Sequence, residues 1–152
     1  MITLGIRAKP DSITFAIIDI GVSNIVNVET VKIPKALPNP EALKYLRNTI
    51  LDILREYKVE RAGIRITESN AQQLNIRRLQ IEGVIQEAFA SSDLDAYFCG
   101  QISSISARLG FDRSYFKPYV DGDRRYEEVE NWASLSKEER EAVLTALGAE
   151  HA

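Results

Sequence analysis

Three apolar runs with a two-residue period fill the first 33 residues, and no helix can bury side chains at that spacing. "MITLGIRA" alternates Ile2, Leu4 and Ile6 with Thr3, Gly5 and Arg7. "SITFAIIDI" and "NIVNVETVKIP" follow, set off by "KPDS" and "GVSN", which supply turn chemistry. The pattern predicts a three-stranded antiparallel meander. Prolines at 34, 38 and 40 end it.

Beyond the prolines the period changes to that of a helix. Asn39 reads as an N-cap with Pro40 in the first helical position and Glu41 behind it. Leu43, Leu46, Ile50, Ile53, Leu54 and Tyr57 then form one apolar stripe. "ERAGIRIT" is a fourth strand, and a right-handed crossover from the helix places it parallel to the first. Ser69 with Gln72 reads as a capping box for a helix over 70–90, with Leu74, Ile81, Val84, Ile85 and Ala88 facing inward. Gly83 would let that helix approach the sheet. "DAYFCG" is a fifth strand and "QISSISARLG" a short helix. Residues 112–132 are aromatic and charged with no period, and read as irregular. A second capping box, Ser136 with Glu139, opens the last helix, which buries Val143, Leu144 and Leu147 and stops at Gly148. Three strands followed by alternating helices and strands make a mixed sheet flanked by helices, the α/β class.

A chain of 152 residues, 45% hydrophobic and 27% charged, suits a single domain over 1–152. It has no run of 18 apolar residues and no signal-peptide pattern, so a cytoplasmic location is expected. One cysteine, Cys99, excludes an internal disulfide framework, and it reads as a small buried apolar residue at a strand end. One histidine, His151, near the C-terminus argues against zinc sites and histidine catalysis. Neither GxGxxG nor a Walker A pattern is present, so nucleotide-dependent chemistry has no support. The net charge of −3 gives no global pull toward nucleic acid.

The element order, carried by "ITLGIRAKPDSITFAIID", "RAGIRIT", "QIEGVIQEAF", "YFCGQISSISARLG" and "EEREAVLTALGA", resembles the ribonuclease H-like superfamily, and within it the RuvC-type Holliday-junction resolvases. The resemblance implies a five-stranded sheet of order 3-2-1-4-5, strand 2 antiparallel, with helices on both faces. It also implies two-metal phosphodiester hydrolysis, with four carboxylates holding two Mg²⁺ ions. Those carboxylates would come from the middle of the first strand, the end of the fourth, and two positions three apart on the closing helix. The closing helix offers Glu138 and Glu141. The first two positions hold Arg7 and Arg65, whose fixed positive charges would repel Mg²⁺.

Two readings of Arg7 and Arg65 stand side by side. One is an internal ion-pair cluster neutralised by Glu141 or Glu138; the other is a clamp for a phosphate or carboxylate. Glu138 and Glu141 suit the start of a helix through its dipole, or serve with Glu68 as metal ligands. Asp19 and Asp11 are further carboxylates that would have to reach the cleft. Arg77, Arg78, Arg108, Arg113, Lys117, Arg124 and Arg125, interleaved with Tyr115, Phe116, Tyr119 and Tyr126, form either a solvated surface or a nucleic-acid face. Tyr115, Tyr119 and Trp132 are the candidates for contact with a protein partner.

The expectation is a catalytically degenerate RuvC-like protein that binds DNA, RNA or a protein partner without cleavage and needs no cofactor, with self-association as a homodimer left open. One alternative is an active nuclease using Glu68, Glu138 and Glu141 with Mg²⁺ or Mn²⁺. The other is a structural protein–protein interaction module.

Overall fold

The computed structural model describes residues 1–22 and 24–152. Strand β1 (Ile2–Lys9) turns through Pro10 and Asp11 into β2 (Ser12–Asp19), with Lys9 paired to Ser12 and Ile2 to Asp19. β3 (Asn24–Lys32) pairs antiparallel with β2. The expected "GVSN" turn between them includes Ser23, which lies outside the described residues; Ile20–Val22 form one 3-10 turn. Helix α1 (Asn39–Glu56) then crosses to β4 (Arg61–Arg65), which runs parallel to β1, and α2 (Ile76–Ser91) crosses to β5 (Ala96–Gly100), parallel to β4. The sheet order is β3-β2-β1-β4-β5, as expected. Helices α3 (Ile102–Leu109), α4 (Phe116–Asp121) and α5 (Lys137–Gly148) complete the chain. No helix among the described residues is long and apolar enough to cross a membrane.

The two-residue period of β1 divides the interior. Leu4, Ile6 and Ala8 join Ile13, Phe15, Ile17, Ala62 and Ile64 against the stripes of α1 and α2, in which Leu46, Ile50, Ile81, Ile85 and Phe89 are buried. Each such side chain contributes on the order of 1.5–3 kcal/mol by leaving water. Thr3, Gly5 and Arg7 point to the opposite face, which α5 covers. There Ala16, Ile18 and Phe98 pack with Ile105, Phe116, Trp132, Val143 and Leu144.

Gly5 and Gly63 are register partners on that second face. A Cβ on Gly5 would lie 2.2 Å from the carbonyl oxygen of Ala142 and 2.2 Å from the backbone nitrogen of Ala146. A Cβ on Gly63 would meet the Phe98 ring at 2.3 Å. α5 therefore rests directly on the backbone of β1, and Thr3 Oγ1 donates to the Ala146 carbonyl at 2.8 Å beside the contact. The capping box of α5 forms as expected: Glu139 N donates to Ser136 Oγ at 3.2 Å, and Ser136 N to Glu139 Oε1 at 2.7 Å. The helix ends at Gly148 and the chain continues as a 3-10 turn to His151.

Several expectations about the helices are corrected. α1 begins one residue earlier, with Pro38 at the cap, because Asn39 Nδ2 donates to Gln80 Oε1 at 2.9 Å instead of capping. α2 begins at Ile76, not at 70. No Ser69–Gln72 box forms, because the Glu82 carboxylate captures Thr67 N at 2.9 Å and holds 67–75 as a loop, and Asn75 caps by accepting from Arg78 N. Leu74 is consequently 59% exposed, and Gly83 faces away from the sheet with nothing near its missing Cβ.

Residues 112–132, which read as irregular, form a 3-10 turn (Arg113–Tyr115), α4 and a left-handed Gly122, and they contribute Phe116, Val120, Tyr126, Val129 and Trp132 to the second core. Arg140 of α5 holds the segment down. Its buried guanidinium donates to the carbonyls of Trp132 at 3.1 Å, Val120 at 2.9 Å and Ala133 at 3.1 Å.

Gly5→Ala is expected to destabilise the fold by at least ~2 kcal/mol, since helix and strand backbones must part. Gly83→Ala is expected to stabilise it by roughly 0.5–1 kcal/mol, since an exposed helical glycine gains a helix former. Urea unfolding of the two variants checks both signs.

Candidate functional site

The carboxyl ends of parallel strands β1 and β4 lie side by side, and the register pairs Arg7 with Arg65. Arg7 emerges two residues beyond Gly5, on which α5 rests, and Arg65 two beyond its register partner Gly63, so both meet the start of that helix. Glu141 answers them: Arg7 Nε donates to Oε2, and Arg65 Nε lies 3.4 Å from Oε1, within ion-pair range but outside hydrogen-bond geometry. One carboxylate thus bridges two guanidiniums. Arg7 also donates to the Ala8 carbonyl and Arg65 to the Ile66 carbonyl, contacts that tether each fork to its own strand.

More charges ring this centre. Glu68 Oε2 lies 3.4 Å from Arg65 Nη1 and accepts from Ile102 N at 3.1 Å, at the start of α3. Glu138 pairs with Lys9 at 3.5 Å. Arg78 Nε donates to Glu82 Oε2 at 2.7 Å, and Glu82, only 3% exposed, also accepts from Thr67 N and from Thr67 Oγ1 at 2.8 Å. Four cations and four carboxylates are therefore interleaved.

Burial pushes the Arg65 guanidinium below its ordinary pKa, while Glu141 and then Glu68 pull it back. Burial, and then the nearness of Arg7, likewise lower Arg78. The backbone N–H at the start of α5 holds the Glu138 carboxyl below the usual carboxylate range, with Lys9 adding to it.

This donor set does not fit Mg²⁺, which takes several oxygen ligands at once. Glu68, Glu138 and Glu141 each already face a cation. Among the described residues, no three His, Cys, Asp or Glu side chains are grouped to hold a metal. Nor do Asp19 or Asp11 reach the cleft. Asp19 sits opposite Ile2 at the far end of β1 and accepts from Gly21 N at 3.1 Å, and the Asp11 carboxylate stays in the hairpin turn with Ser12.

The other candidates divide. Arg78 joins Arg7 and Arg65. Arg77 lies beside it in the first turn of α2. Lys117, Arg124 and Arg125 are on the solvent face of 113–125, where Arg124 stacks 4.1 Å from the Tyr115 ring centroid and Arg125 pairs with Glu127 at 4.0 Å. Tyr115 is exposed and Tyr119 partly so. Trp132 is not available to a partner, because it is 1% exposed and its indole N–H donates to the Tyr119 carbonyl at 2.9 Å. Cys99 is half-buried, and desolvation raises its thiol pKa away from the reactive thiolate.

Sequence reading missed Glu82 and Arg140. The signal for Glu82 was its i,i+4 spacing from Arg78, next to the inward Ile81 and Ile85.

Glu141→Gln leaves two largely buried guanidiniums short of a counter-charge and is expected to cost about 3 kcal/mol. Glu138→Gln breaks a half-exposed pair and is expected to cost under ~1 kcal/mol. The Glu138 contribution is fully present above the ordinary glutamate pKa and is lost as pH falls through its depressed folded value. Urea midpoints at neutral and acid pH measure all three.

In sequence, the chain matches no protein-family model and no curated protein. In structure it is similar to Thermus thermophilus RuvC in complex with Holliday junction substrate, with a TM-score of 0.72 at 14% identity over 97% of this chain and 92% of that one. A second T. thermophilus RuvC structure gives 0.69 at 14% identity over the same shares. The yeast mitochondrial Holliday junction resolvase Ydc2 gives 0.56 at 11% identity over 96% of this chain and 76% of that one. The five-stranded mixed sheet of order 3-2-1-4-5 with its flanking helices is thus the ribonuclease H-like α/β fold in its RuvC form.

Proposed function

We propose that this domain uses a nuclease-type cleft to bind nucleic acid without cutting it. One observation carries the reading: Arg7 and Arg65 are register partners at the ends of β1 and β4 and share the single carboxylate of Glu141. In a two-metal nuclease of this fold, carboxylates would be needed at those two strand positions. Guanidiniums there oppose Mg²⁺ and favour a phosphate, which an arginine fork can contact through two parallel hydrogen bonds. The overall architecture is similar to that of RuvC in complex with Holliday junction substrate, and on this reading the two strand-end positions carry positive charge in place of carboxylates.

The cost of holding two arginines at 18% and 8% side-chain exposure supports a role in binding. Lys117, Arg124 and Arg125 lie on the exposed face of 113–125 and offer phosphate contacts of their own, with Arg124 stacked on the exposed Tyr115 ring. No metal cofactor enters this proposal. The non-catalytic reading is preferred to the active nuclease because Glu68, Glu138 and Glu141 are each committed to a cation.

The test is paired binding and cleavage on labelled single-stranded, duplex and four-way-junction DNA and RNA at low salt with Mg²⁺ or Mn²⁺. Wild type is expected to bind at least one of these, to lose affinity as salt rises, and to cut none. Arg7→Gln, checked for folding by circular dichroism, is expected to bind about tenfold more weakly, the loss of one charge-assisted contact. Cleavage that disappears in Glu141→Gln would falsify the non-cutting reading. Absence of binding to every substrate would remove the nucleic-acid reading and leave the arginines as internal scaffolding.

A further inference from the structure

The first turn of α2 is built against its own dipole. Positive partial charge collects at a helix N-terminus, and this turn contains no acidic residue; its second and third residues are Arg77 and Arg78. Asn75 already caps the turn by accepting from Arg78 N at 2.9 Å, so the arginine side chains are not needed to satisfy the backbone. Arg78 is also drawn inward, to 17% side-chain exposure, by Glu82, which Thr67 locks from the other side.

Glu82 also holds Thr67, two residues past Arg65, and Arg65 is the register partner of Arg7, so Arg78 stands at the same end of the sheet as that pair. Three guanidiniums thus converge on one end of the sheet. Their hydrogen bonding is incomplete. Arg78 Nη2, Arg77 Nε and Arg65 Nε are buried without a hydrogen-bond partner, and the Arg65 side chain is only 8% exposed. Buried donors are ordinarily paired, and leaving one unpaired is costly. Arginine donors left open beside a helix N-terminus are groups suited to bind an oxyanion.

We infer that the first turn of α2 and the end of β1 form a site for one tetrahedral oxyanion of the phosphate class, held by Arg78 and Arg7 with Arg65 behind them. Glu82 is the positioning residue. It touches no ligand, but it fixes Arg78 through Nε and so leaves Nη2 free to donate. The site rests on the nucleic-acid reading only for where the phosphate comes from: a backbone phosphodiester under that reading, a free phosphate without it.

The experiment is thermal unfolding and isothermal titration of the full chain with inorganic phosphate, against potassium chloride at matched ionic strength, alongside binding of the best oligonucleotide. The variants are Arg78→Gln, Arg78→Lys and the surface control Lys35→Gln, an exposed lysine. Phosphate is expected to raise the melting temperature of wild type and Lys35→Gln where chloride does not. Arg78→Gln should lose that response, and Arg78→Lys, which keeps the charge but not the fork, should recover part of it.

A folded Arg78→Lys that responds like wild type would remove the fork from the site. Phosphate acting no better than chloride on wild type would overturn the site altogether. If the oligonucleotide still binds in that second case, the nucleic-acid reading survives alone. If phosphate binds through Arg78 and no oligonucleotide binds, the site stands and that reading falls.

Discussion

Two guanidiniums brought within the thickness of a sheet cannot be left there without a counter-charge, and much of this molecule is arranged around supplying one. The parallel pairing of β1 and β4 sets Arg7 beside Arg65, where their repulsion would be strongest in a medium of low polarity. Glu141 relieves it only because α5 sits low enough on the sheet to deliver a carboxylate between them. That depth depends in turn on Gly5, which has no Cβ to hold the helix away. A backbone contact at one level of β1 and an ion pair one step along it are therefore a single device. Removing either end would leave the other without its geometry.

The same helix carries a second buried arginine that works differently. Arg140 pairs with no carboxylate among the described residues and donates to three backbone carbonyls, tying α4 and the 3-10 turn at Trp132 to α5. Gly122 makes room for it, since a Cβ there would lie 2.8 Å from Arg140 Nη1 and the residue has a φ of +82°. α5 thus organises both the charged end of the sheet and the aromatic segment beside it.

The proposed function follows from how charge is distributed on a fold whose solved relatives include Holliday-junction resolvases. A fold specifies where a ligand can lie; the side chains decide what is done to it. Here the cleft keeps carboxylates, but each is matched to a cation, and the surplus donors belong to arginine. On the proposed reading, such a site grips an oxyanion and does not activate water for attack on one.

Much of this was legible in the linear chain. The two-residue period of "ITLGIRA" and "SITFAIID", the proline stop and the helical stripe of Leu46, Ile50, Ile53 and Leu54 sufficed for element type, because each segment's periodicity must match the face it buries, while the full sheet order came from the resemblance of the element order to the ribonuclease H-like superfamily. The pairing of the two GIR arginines was also readable, since a right-handed crossover leaves little choice for the fourth strand. Other features were set by contacts between distant residues. Glu82 displaced the start of α2 by reaching back to Thr67, and Asn39 gave up its cap for Gln80. Trp132 left an expected interface for the core because Arg140 and α5 offered it a floor. Local sequence determines what a segment prefers, whereas a polar atom takes whichever partner the assembled chain brings within reach, and that partner is known only once the helices have docked.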